Sequence, residues 1–518
     1  MTAHATGGVA PPRSESFRIG TRRFLSRVDP TKLIAAGTGI GLFVLFLLVP
    51  GLPDAVDPAA PGHLVPLPRE GRLAIGLFLL TATWWVFEVI PVGITAVAVV
   101  AAQALFAIAR PGAPPTKAFT DFFDPAVWFI FGSLLFGMVF SKTGLTRRLT
   151  YRMVGLMGER TSLIYLGSFL MVFVLTLFMM HTAAAAISFP LLMAVYSLYE
   201  ESERPTRFGK GLFIGMAHAC ACGSLVTYLG SARAAIAARY YAQVMPATLA
   251  EGHDPITFGD LAFYMLPLGL FMVLALWVLV MILFKPERPS IPGLRERARQ
   301  LSQRLGPVSA REITSLVIVL GTVFSLLLLP SSADSGIDRS VIILTAVLLF
   351  FLLRILSIDD LEKVPWSIML LFGGSLSLGL CLWETGASRW MALHLLPLFR
   401  DHHPLLFVLV SSLAIMIMTN LLVNVAVIAL CLPVALTVAL YLGVSGEVVL
   451  YSSLAAAGMP LLLLIGAAPN VMAYQSKMFT PREFFGVGPL ASAVVMGILT
   501  LFVVLVWPIL GMPTFPRG

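Results

Sequence analysis

Apolar segments of about 20 residues recur along nearly the whole chain, separated by short polar connections. Because each segment is long enough to cross a bilayer as a helix, the pattern predicts an all-α polytopic membrane protein. The segments lie at 33–50, 73–90, 92–109, 126–141, 162–198, 211–242, 261–284, 313–330, 340–357, 366–383, 404–440, 447–475 and 485–511.

Two of these segments, 162–198 and 404–440, are nearly twice as long as one crossing and carry polar residues near their centres. The first contains His181 and Thr182, and the second contains Asn424. A long apolar segment with a polar centre is typical of a re-entrant hairpin, which turns back inside the membrane. We therefore predict about 11 transmembrane helices together with two hairpins.

Matching landmarks indicate that the chain contains a repeat. FGSLLFGMVFSKTG at 131–144 resembles GGSLSLGLCLWETG at 373–386, and LGSARAAI at 229–236 resembles IGAAPNVM at 465–472. An odd number of crossings separates the copies, so the repeats are inverted in the membrane, as in many secondary transporters. Substrate sites of such transporters lie where the repeats meet, and polar residues at membrane depth are candidates for them.

The placement of Lys and Arg predicts the orientation in the membrane. Both residue types are abundant in the connections 142–160 and 285–312, whereas 243–260 contains acidic residues and neither Lys nor Arg. Because basic connections stay inside, we predict a protein of the inner (plasma) membrane with a cytoplasmic N-terminus and an external C-terminus. This pattern holds only if both long segments enter and leave on one side.

Composition excludes several classes of protein. With 58% hydrophobic and 12% charged residues, the chain is not a soluble globular protein. No nucleophile–base pair or metal-ligand cluster stands out, so we expect neither an enzyme nor a metal site. The basic linker lacks interleaved aromatic residues, which argues against nucleic-acid binding and for contact with the lipid bilayer. The predicted units are a tail (1–30), a first membrane half (31–285), a linker (286–312) and a second repeat (313–518).

The motif WWVFEVIPVGITA at 84–96 resembles the WWxTEAIPxxxTA signature of the divalent anion/sodium symporter family, which comprises dicarboxylate, citrate and sulfate transporters. SKTGLTRRL and WETGASRW resemble the paired E-x-x-G helix ends of that family. The resemblance implies a homodimer in which each protomer has a scaffold and a moving transport domain, working by an elevator motion. It implies a small anionic substrate and no organic cofactor.

In that family, each Ser-Asn-Thr hairpin tip and the Gly-Thr-Pro-Pro-Asn segment facing it bind one sodium ion and part of the substrate. Here the tips are Met180-His181-Thr182 and Val423-Asn424-Val425, and the facing segments are Gly230-Ser231-Ala232-Arg233-Ala234 and Gly466-Ala467-Ala468-Pro469-Asn470. The resemblance makes the following residues candidates for substrate binding: His181, Thr182, Ser231, Arg233, Asn424, Val425, Ala467, Pro469 and Asn470.

Both sodium sites have lost a hydroxyl group, because Met180 and Val423 stand where the family has Ser. Arg233 stays protonated, and at about 5 Å its charge would repel a sodium ion by about 3 kcal/mol at an effective dielectric near 20. We therefore expect no sodium at the first site and leave Na+ open at the second site only. The remaining candidates for ion binding are Thr176, Gly230, Thr419, Asn424 and Gly466.

Two side chains near the first tip each have two interpretations. Arg233 either supplies positive charge to the substrate anion directly or pairs with another protein group such as Glu88. His181 either couples transport to protons or stays neutral and donates a hydrogen bond; the neighbouring arginine favours the neutral donor. Four half-helix N-termini that face the site favour an anion whatever these side chains do.

The leading hypothesis is a secondary active transporter of a small divalent organic anion, di- or tricarboxylate-like, that works by sodium-independent exchange. One alternative is a proton- or sodium-coupled symporter of a carboxylate, sulfate or another oxyanion. Another is a non-transporting membrane sensor or assembly partner. Substrate identity stays open, because the residues that would choose the substrate are the ones that differ from the family pattern.

Overall fold

The structure is a computed structural model that describes residues 29–58, 64–109, 112–114, 116–200, 204–245, 256–328 and 338–512. The predicted tail, apart from its last two residues, lies outside these ranges, as do the acidic residues Glu251 and Asp254 of the predicted outer connection. The described part is helical except for loops and one antiparallel pair of short strands, β1 (Ala55–Val56) and β2 (Leu64–Val65).

The first half of the chain contains twelve described helices. They are α1 (Pro30–Leu48), α2 (Arg69–Val86), α3 (Val92–Leu105), α4 (Lys117–Thr120), α5 (Pro125–Thr143), α6 (Leu145–Met157), α7 (Thr161–Phe178), α8 (His181–Tyr199), α9 (Arg207–Gly223), α10 (Ala232–Val244), α11 (Phe258–Leu283) and α12 (Leu294–Arg304). A short 3-10 turn, Asp121–Phe123, joins α4 to α5.

The second half of the chain contains eleven described helices. They are α13 (Ala310–Leu328), α14 (Arg339–Leu352), α15 (Ile358–Glu362), α16 (Trp366–Glu384), α17 (Ala387–Leu395), α18 (Pro404–Met418), α19 (Asn424–Leu442), α20 (Gly446–Ala457), α21 (Ala468–Tyr474), α22 (Pro481–Leu501) and α23 (Trp507–Ile509). Two 3-10 turns, Leu396–Leu398 and Leu464–Gly466, and a π-helical turn, Phe502–Val506, complete it.

Nine helices in the described ranges are long and apolar enough to cross a membrane, and four shorter helices are also apolar. Together with the near absence of strands, this confirms the all-α polytopic membrane fold. The structure adds α6 and α17, short helices that the apolar pattern did not predict because their composition is mixed.

Several helices of the two repeats match in order and length. Helices α3 and α14 each have 14 residues, α5 and α16 each have 19, and so do α8 and α19. Pro190 and Pro433 each stand tenth in their helices. The glycines that end α5 and α16, Gly144 and Gly386, both have positive φ, a conformation that glycine adopts without a steric penalty.

Two ion pairs join the repeats at matched positions with reversed charge. Lys142 at the end of α5 pairs with Asp360 of α15, and Glu384 at the end of α16 pairs with Lys117 beside the other repeat. Each pair therefore fastens the end of a long helix to the short linking helix of the opposite repeat.

Both ends of the first long segment contact the loop that follows α11. At the start, the Thr161 backbone N–H donates to the carbonyl oxygen of Pro289 at 3.0 Å. At the end, the Tyr199 hydroxyl donates to the Glu287 carboxylate at 2.9 Å, and Arg288 donates to the Tyr199 carbonyl oxygen at 2.6 Å. Helices α7 and α8 thus return to the side from which they started, as a re-entrant hairpin requires.

The second long segment divides in the same way into α18 and α19. Near its start, the ring of Phe407 packs edge-on against Phe399 with centroids 5.3 Å apart. Near its end, the Tyr441 hydroxyl accepts a hydrogen bond from Arg389 at 3.1 Å. Since Arg389 and Phe399 belong to one short helical region after α16, the two ends of this hairpin also meet in one place.

The Glu287 carboxylate that closes the first hairpin also accepts the backbone N–H of Arg207 at 2.5 Å and of Phe208 at 3.2 Å, at the start of α9. Burial alone would raise the pKa of Glu287, but these hydrogen bonds outweigh it and hold the pKa below its ordinary value of 4.5. The charged form therefore stabilises the fold, and this contribution is lost as the pH falls below about 4.5.

We predict that Glu287→Gln lowers the thermal unfolding midpoint of the detergent-purified protein at neutral pH. The difference from wild type should shrink as the pH falls through about 4 toward 3, because the wild-type carboxylate then becomes protonated as well. The effect is modest, since Glu287 is exposed to solvent. A difference that stays constant from neutral pH to pH 3 would show that the charge of Glu287 does not contribute.

Candidate functional site

The first hairpin tip, residues 177–182, contains the turn at Met179 and Met180 that separates α7 from α8, together with the helix ends beside it. It faces the break between α9 and α10 at residues 224–231. Thr227 in this break donates its hydroxyl to the carbonyl oxygen of Leu177 at 2.8 Å and accepts the backbone N–H of Gly230 at 3.1 Å. One threonine therefore binds the tip to the break.

Thr176 and Gly230, two candidates for ion binding, are in contact. A Cβ atom placed on Gly230 would lie 2.3 Å from the Thr176 carbonyl oxygen, so only glycine allows this approach. The Thr176 hydroxyl bonds within its own helix, to the carbonyl oxygens of Val172 at 2.6 Å and Phe173 at 2.9 Å. The oxygen that Thr176 presents to the break is thus its carbonyl.

The second tip, residues 419–423, is bound to its break by an asparagine. The Asn420 side-chain oxygen accepts the backbone N–H of Leu462 at 2.8 Å and of Leu463 at 3.2 Å, and its amide donates to Met416 O at 2.7 Å. Asn420 is 2% exposed. A buried N–H without an acceptor is costly, so this side chain holds the break in place.

The motif residues of the second half form a connected network. The Thr419 hydroxyl lies 2.9 Å from the Asn424 side-chain oxygen and 2.8 Å from the Ala457 carbonyl oxygen. The Asn470 amide donates to the carbonyl oxygens of Pro460 at 2.7 Å and Leu463 at 3.1 Å.

The remaining candidates of this half flank the network. Gly466 faces the Thr419 carbonyl oxygen less closely than Gly230 faces that of Thr176, since a Cβ atom on Gly466 would lie 3.2 Å from it. Val425 is buried beside Asn424 in the first turn of α19, and Ala467 and Pro469 lie at the start of α21.

Arg233 is 1% exposed and reaches from α10 into the second repeat. Its Nε donates to the Leu454 carbonyl oxygen at 3.3 Å, and its Nη2 donates to the Ser224 hydroxyl at 3.2 Å. The guanidinium also packs on Gly458, where a Cβ atom would lie 2.2 Å from Nη2. Its partners are neutral groups and not Glu88, which is exposed in a left-handed turn after α2.

These partners place the Arg233 charge where two broken helices end. Ser224 caps the C-terminus of α9, and Leu454 and Gly458 belong to the C-terminal turn and cap of α20. A helix C-terminus carries about half a negative charge. One helix end from each repeat therefore offsets the cost of burying this guanidinium.

Two polar atoms beside Arg233 have no hydrogen-bond partner among the described residues. They are the Nδ1 of His181, in the first turn of α8 just before Thr182, and the hydroxyl of the buried Ser231. The His181 ring lies against the Gly230 backbone and within electrostatic range of Arg233. Enclosed polar groups are nearly always hydrogen-bonded, so both atoms are free to bind a ligand or water.

Four helices begin at this site without a side-chain cap. Their first residues are His181 in α8, Ala232 in α10, Asn424 in α19 and Ala468 in α21, and none has a capping hydrogen bond from the preceding side chain. Some helices elsewhere in the chain, such as α9 and α22, have such caps, and others, such as α3 and α16, do not. The uncapped N-termini leave backbone N–H groups and partial positive charge for an anion.

The two halves are not equally suited to bind a sodium ion, which prefers oxygen ligands. The first tip presents Met180 and the neighbouring charge of Arg233, and it does not fit. In the second half, the Asn424 side-chain oxygen lies beside the Thr419 hydroxyl, and the Thr419 carbonyl oxygen lies near Gly466, so oxygen ligands for a cation are present there. Among the described residues, no group of three or more His, Cys, Asp or Glu side chains could hold a metal ion.

Three residues of the site were not among the predicted ones: Thr227, Asn420 and Ser224. Asn420 directly follows Thr419 in an apolar segment, and Thr227 lies between two predicted features. The sequence signal for both is a polar residue inside an apolar segment. Their roles depend on a loop from another part of the chain, which local sequence does not indicate.

Known proteins resemble the chain over almost its whole length. The family described as "Sodium:sulfate symporter transmembrane region" matches residues 60–513. Proteins named sodium-dependent dicarboxylate transporter SdcS, from the Staphylococcus aureus strains bovine RF122 / ET3-1 and NCTC 8325 / PS 47, are 25% identical over 511 residues. Each alignment covers 94% of this chain and 94% of the relative.

We predict that Asn420→Ala lowers the stability of the protein by about 2 kcal/mol, because two backbone N–H groups lose their acceptor. Asn420→Asp, which keeps an acceptor oxygen, should lose less. Thermal unfolding of the detergent-purified protein measures both, and Gln475→Ala, at an exposed amide, serves as the control. Equal midpoints for Asn420→Ala and Gln475→Ala would contradict this role.

Proposed function

We propose that this chain, which belongs to the sodium:sulfate symporter family, is a secondary transporter that exchanges small divalent organic anions without sodium. The name of its relatives supports transport rather than catalysis and favours a dicarboxylate as the first substrate to test. The relatives are named sodium-dependent, whereas we propose sodium independence for this chain. This difference is inferred from the residues of this chain.

The observation that supports an anionic substrate is the set of four uncapped helix N-termini. Backbone N–H groups at the starts of α8, α10, α19 and α21 do not change with the side chains around them. A divalent anion is therefore still favoured at a site that has lost two hydroxyl groups.

Arg233 supports the absence of sodium coupling at the first tip. Its guanidinium is only partly offset by the ends of α9 and α20, and it is covalently part of the protein. A carrier with this fixed charge would be costly to move without an anion, whereas the loaded carrier is compensated. This difference favours exchange of one anion for another over net uptake.

We propose direct contact with the anion for the candidates that have unsatisfied donors. His181, through Nδ1 in the tautomer that carries its proton there, and the Ser231 hydroxyl would donate to it, beside the guanidinium of Arg233. Thr182, Asn424, Val425, Ala467, Pro469 and Asn470 would shape the site from the starts of their helices. The network around Thr419, Asn424 and Gly466 is where a sodium ion would fit if one binds at all.

Proton-coupled symport is the second candidate, because the unpartnered ring nitrogen of His181 lies at the site. It predicts that an inward proton gradient stimulates uptake. In either case we propose a homodimer in the inner membrane, with the basic connections in the cytoplasm and one moving transport domain per protomer.

The test uses proteoliposomes loaded with unlabelled succinate and measures entry of labelled succinate with sodium or choline outside. We predict uptake that requires internal succinate and is equal in the two salts. Arg233→Gln should reduce uptake by at least about tenfold, as expected for one charge-assisted contact. Arg239→Gln, on the same helix but paired with Asp124 at 2.9 Å, is the matched control.

A steep dependence on sodium would contradict the proposed exchange. Full activity of Arg233→Gln would show that Arg233 is only structural. Uptake that needs no internal anion but responds to a proton gradient would favour the second candidate instead.

A further inference from the structure

A cleft of about 620 Å³ lies between the mixed-composition helices α6 and α12, on the side that the charge pattern predicts to be cytoplasmic. Three arginines line it, Arg152 from α6 and Arg295 and Arg299 from α12. Tyr151 and Ser302 add one hydroxyl group from each helix. The cleft is separate from the hairpin tips and takes no part in the proposed transport chemistry.

The guanidinium groups of the three arginines form no ion pair with other described residues. Two glutamates also line the cleft, but each has a local partner. Glu159 accepts the backbone N–H of Gly293 at 2.9 Å, and Glu296 accepts the amide of Gln300 at 3.3 Å. Positive charge therefore exceeds negative charge in the cleft, and its hydrogen-bond donors are available.

Some other basic side chains on this side have acidic partners, whereas exposed ones such as Arg304 have none among the described residues. Arg148 pairs with Glu312 at 3.2 Å, and Arg288 lies 3.6 Å from Glu200. If the positive charge served only to set the orientation of the protein in the membrane, it could be spread over the cytoplasmic surface, with or without acidic partners. Its concentration in one cleft, contributed by two helices, indicates a binding site for an anion with several oxygen atoms.

Exposed leucines near the cleft favour a lipid over a soluble anion as its ligand. Leu156 follows Arg152 by one helical turn, so the two share a face of α6, and Leu156 is 85% exposed. Leu163, near the start of the first hairpin, is also exposed. Apolar side chains beside basic ones are typical of helices at the boundary between headgroups and acyl chains.

The cleft adjoins the base of the first hairpin. The chain between α6 and α7 is bound to the loop before α12, since the Ile291 N–H donates to the Glu159 carbonyl oxygen at 2.8 Å. The Thr161 hydroxyl also donates to the Arg288 carbonyl oxygen at 2.9 Å. A ligand that bridges α6 and α12 would therefore stabilise the region where the hairpin enters and leaves.

We propose that this cleft binds the phosphate of an anionic phospholipid. The planar guanidinium groups of Arg152, Arg295 and Arg299 surround the phosphate, and the acyl chains lie along Leu156 and Leu163. Anionic lipids are attracted to basic segments at the cytoplasmic surface. A planar guanidinium group can donate two parallel hydrogen bonds to one phosphate, which would hold the lipid at this cleft.

The experiment titrates the detergent-purified full chain with phosphatidylglycerol, phosphatidylcholine or inorganic phosphate and follows the thermal unfolding midpoint. We predict a saturable rise with phosphatidylglycerol and no comparable rise with the other two. The double variant Arg152→Gln/Arg299→Gln should bind phosphatidylglycerol at least about tenfold more weakly, because two charge-assisted contacts are lost.

The control variant Arg304→Gln/Lys363→Gln removes the same charge from exposed positions outside the cleft and should respond as wild type does. Mass spectrometry of lipid that copurifies with each variant gives a second measurement that does not depend on unfolding. An equal loss of affinity in both double variants would overturn the site, as would equal stabilisation by phosphatidylcholine. Equal stabilisation by inorganic phosphate would overturn the lipid as its ligand.

Discussion

Backbone groups that leave a helix inside a membrane need protein partners, because lipid offers none, and the architecture around the site follows from that constraint. Helices stop at four places here, at two hairpin tips and two breaks, and each tip faces a break. In the first half, Thr227 of the break reaches the tip. In the second half, Asn420 of the tip reaches the break. In both repeats a side chain therefore bonds to backbone groups across the contact, but it comes from the break in the first repeat and from the tip in the second.

The constraint also explains why the halves can diverge. Once tip and break are bound together, the helix N-termini remain in position even when the side chains of the motif change. By comparison with the family pattern, Met180 stands where a Ser is expected and Arg233 where a Pro is expected, and the guanidinium spans to the second repeat at Leu454. We propose that a charge fixed between two helix C-termini takes the role of a bound cation there, but it cannot dissociate. That difference links the local chemistry to the proposed exchange.

Much of the fold was predictable because a membrane restricts the length of its elements. Apolar runs of double length predicted the hairpins, and the motif at Gly144 and Gly386 predicted the repeat. The contacts of the site were less predictable, since they depend on how loops fold back. Arg233 was assigned either to the substrate or to a carboxylate, whereas its partners are a carbonyl and a hydroxyl group. Asn420 was overlooked because its acceptor role needs Leu462, which lies 42 residues further along the chain.

The central claim is that Arg233 takes the place of a cation between the repeats. The most direct measurement is the rise of the unfolding midpoint with sodium, relative to choline, for wild type and for Arg233→Ala in detergent. If the claim holds, the variant is less stable in choline, and sodium raises its midpoint more than that of wild type, because the space and the two helix ends are again open to a cation. An equal response to sodium in both proteins would contradict the claim.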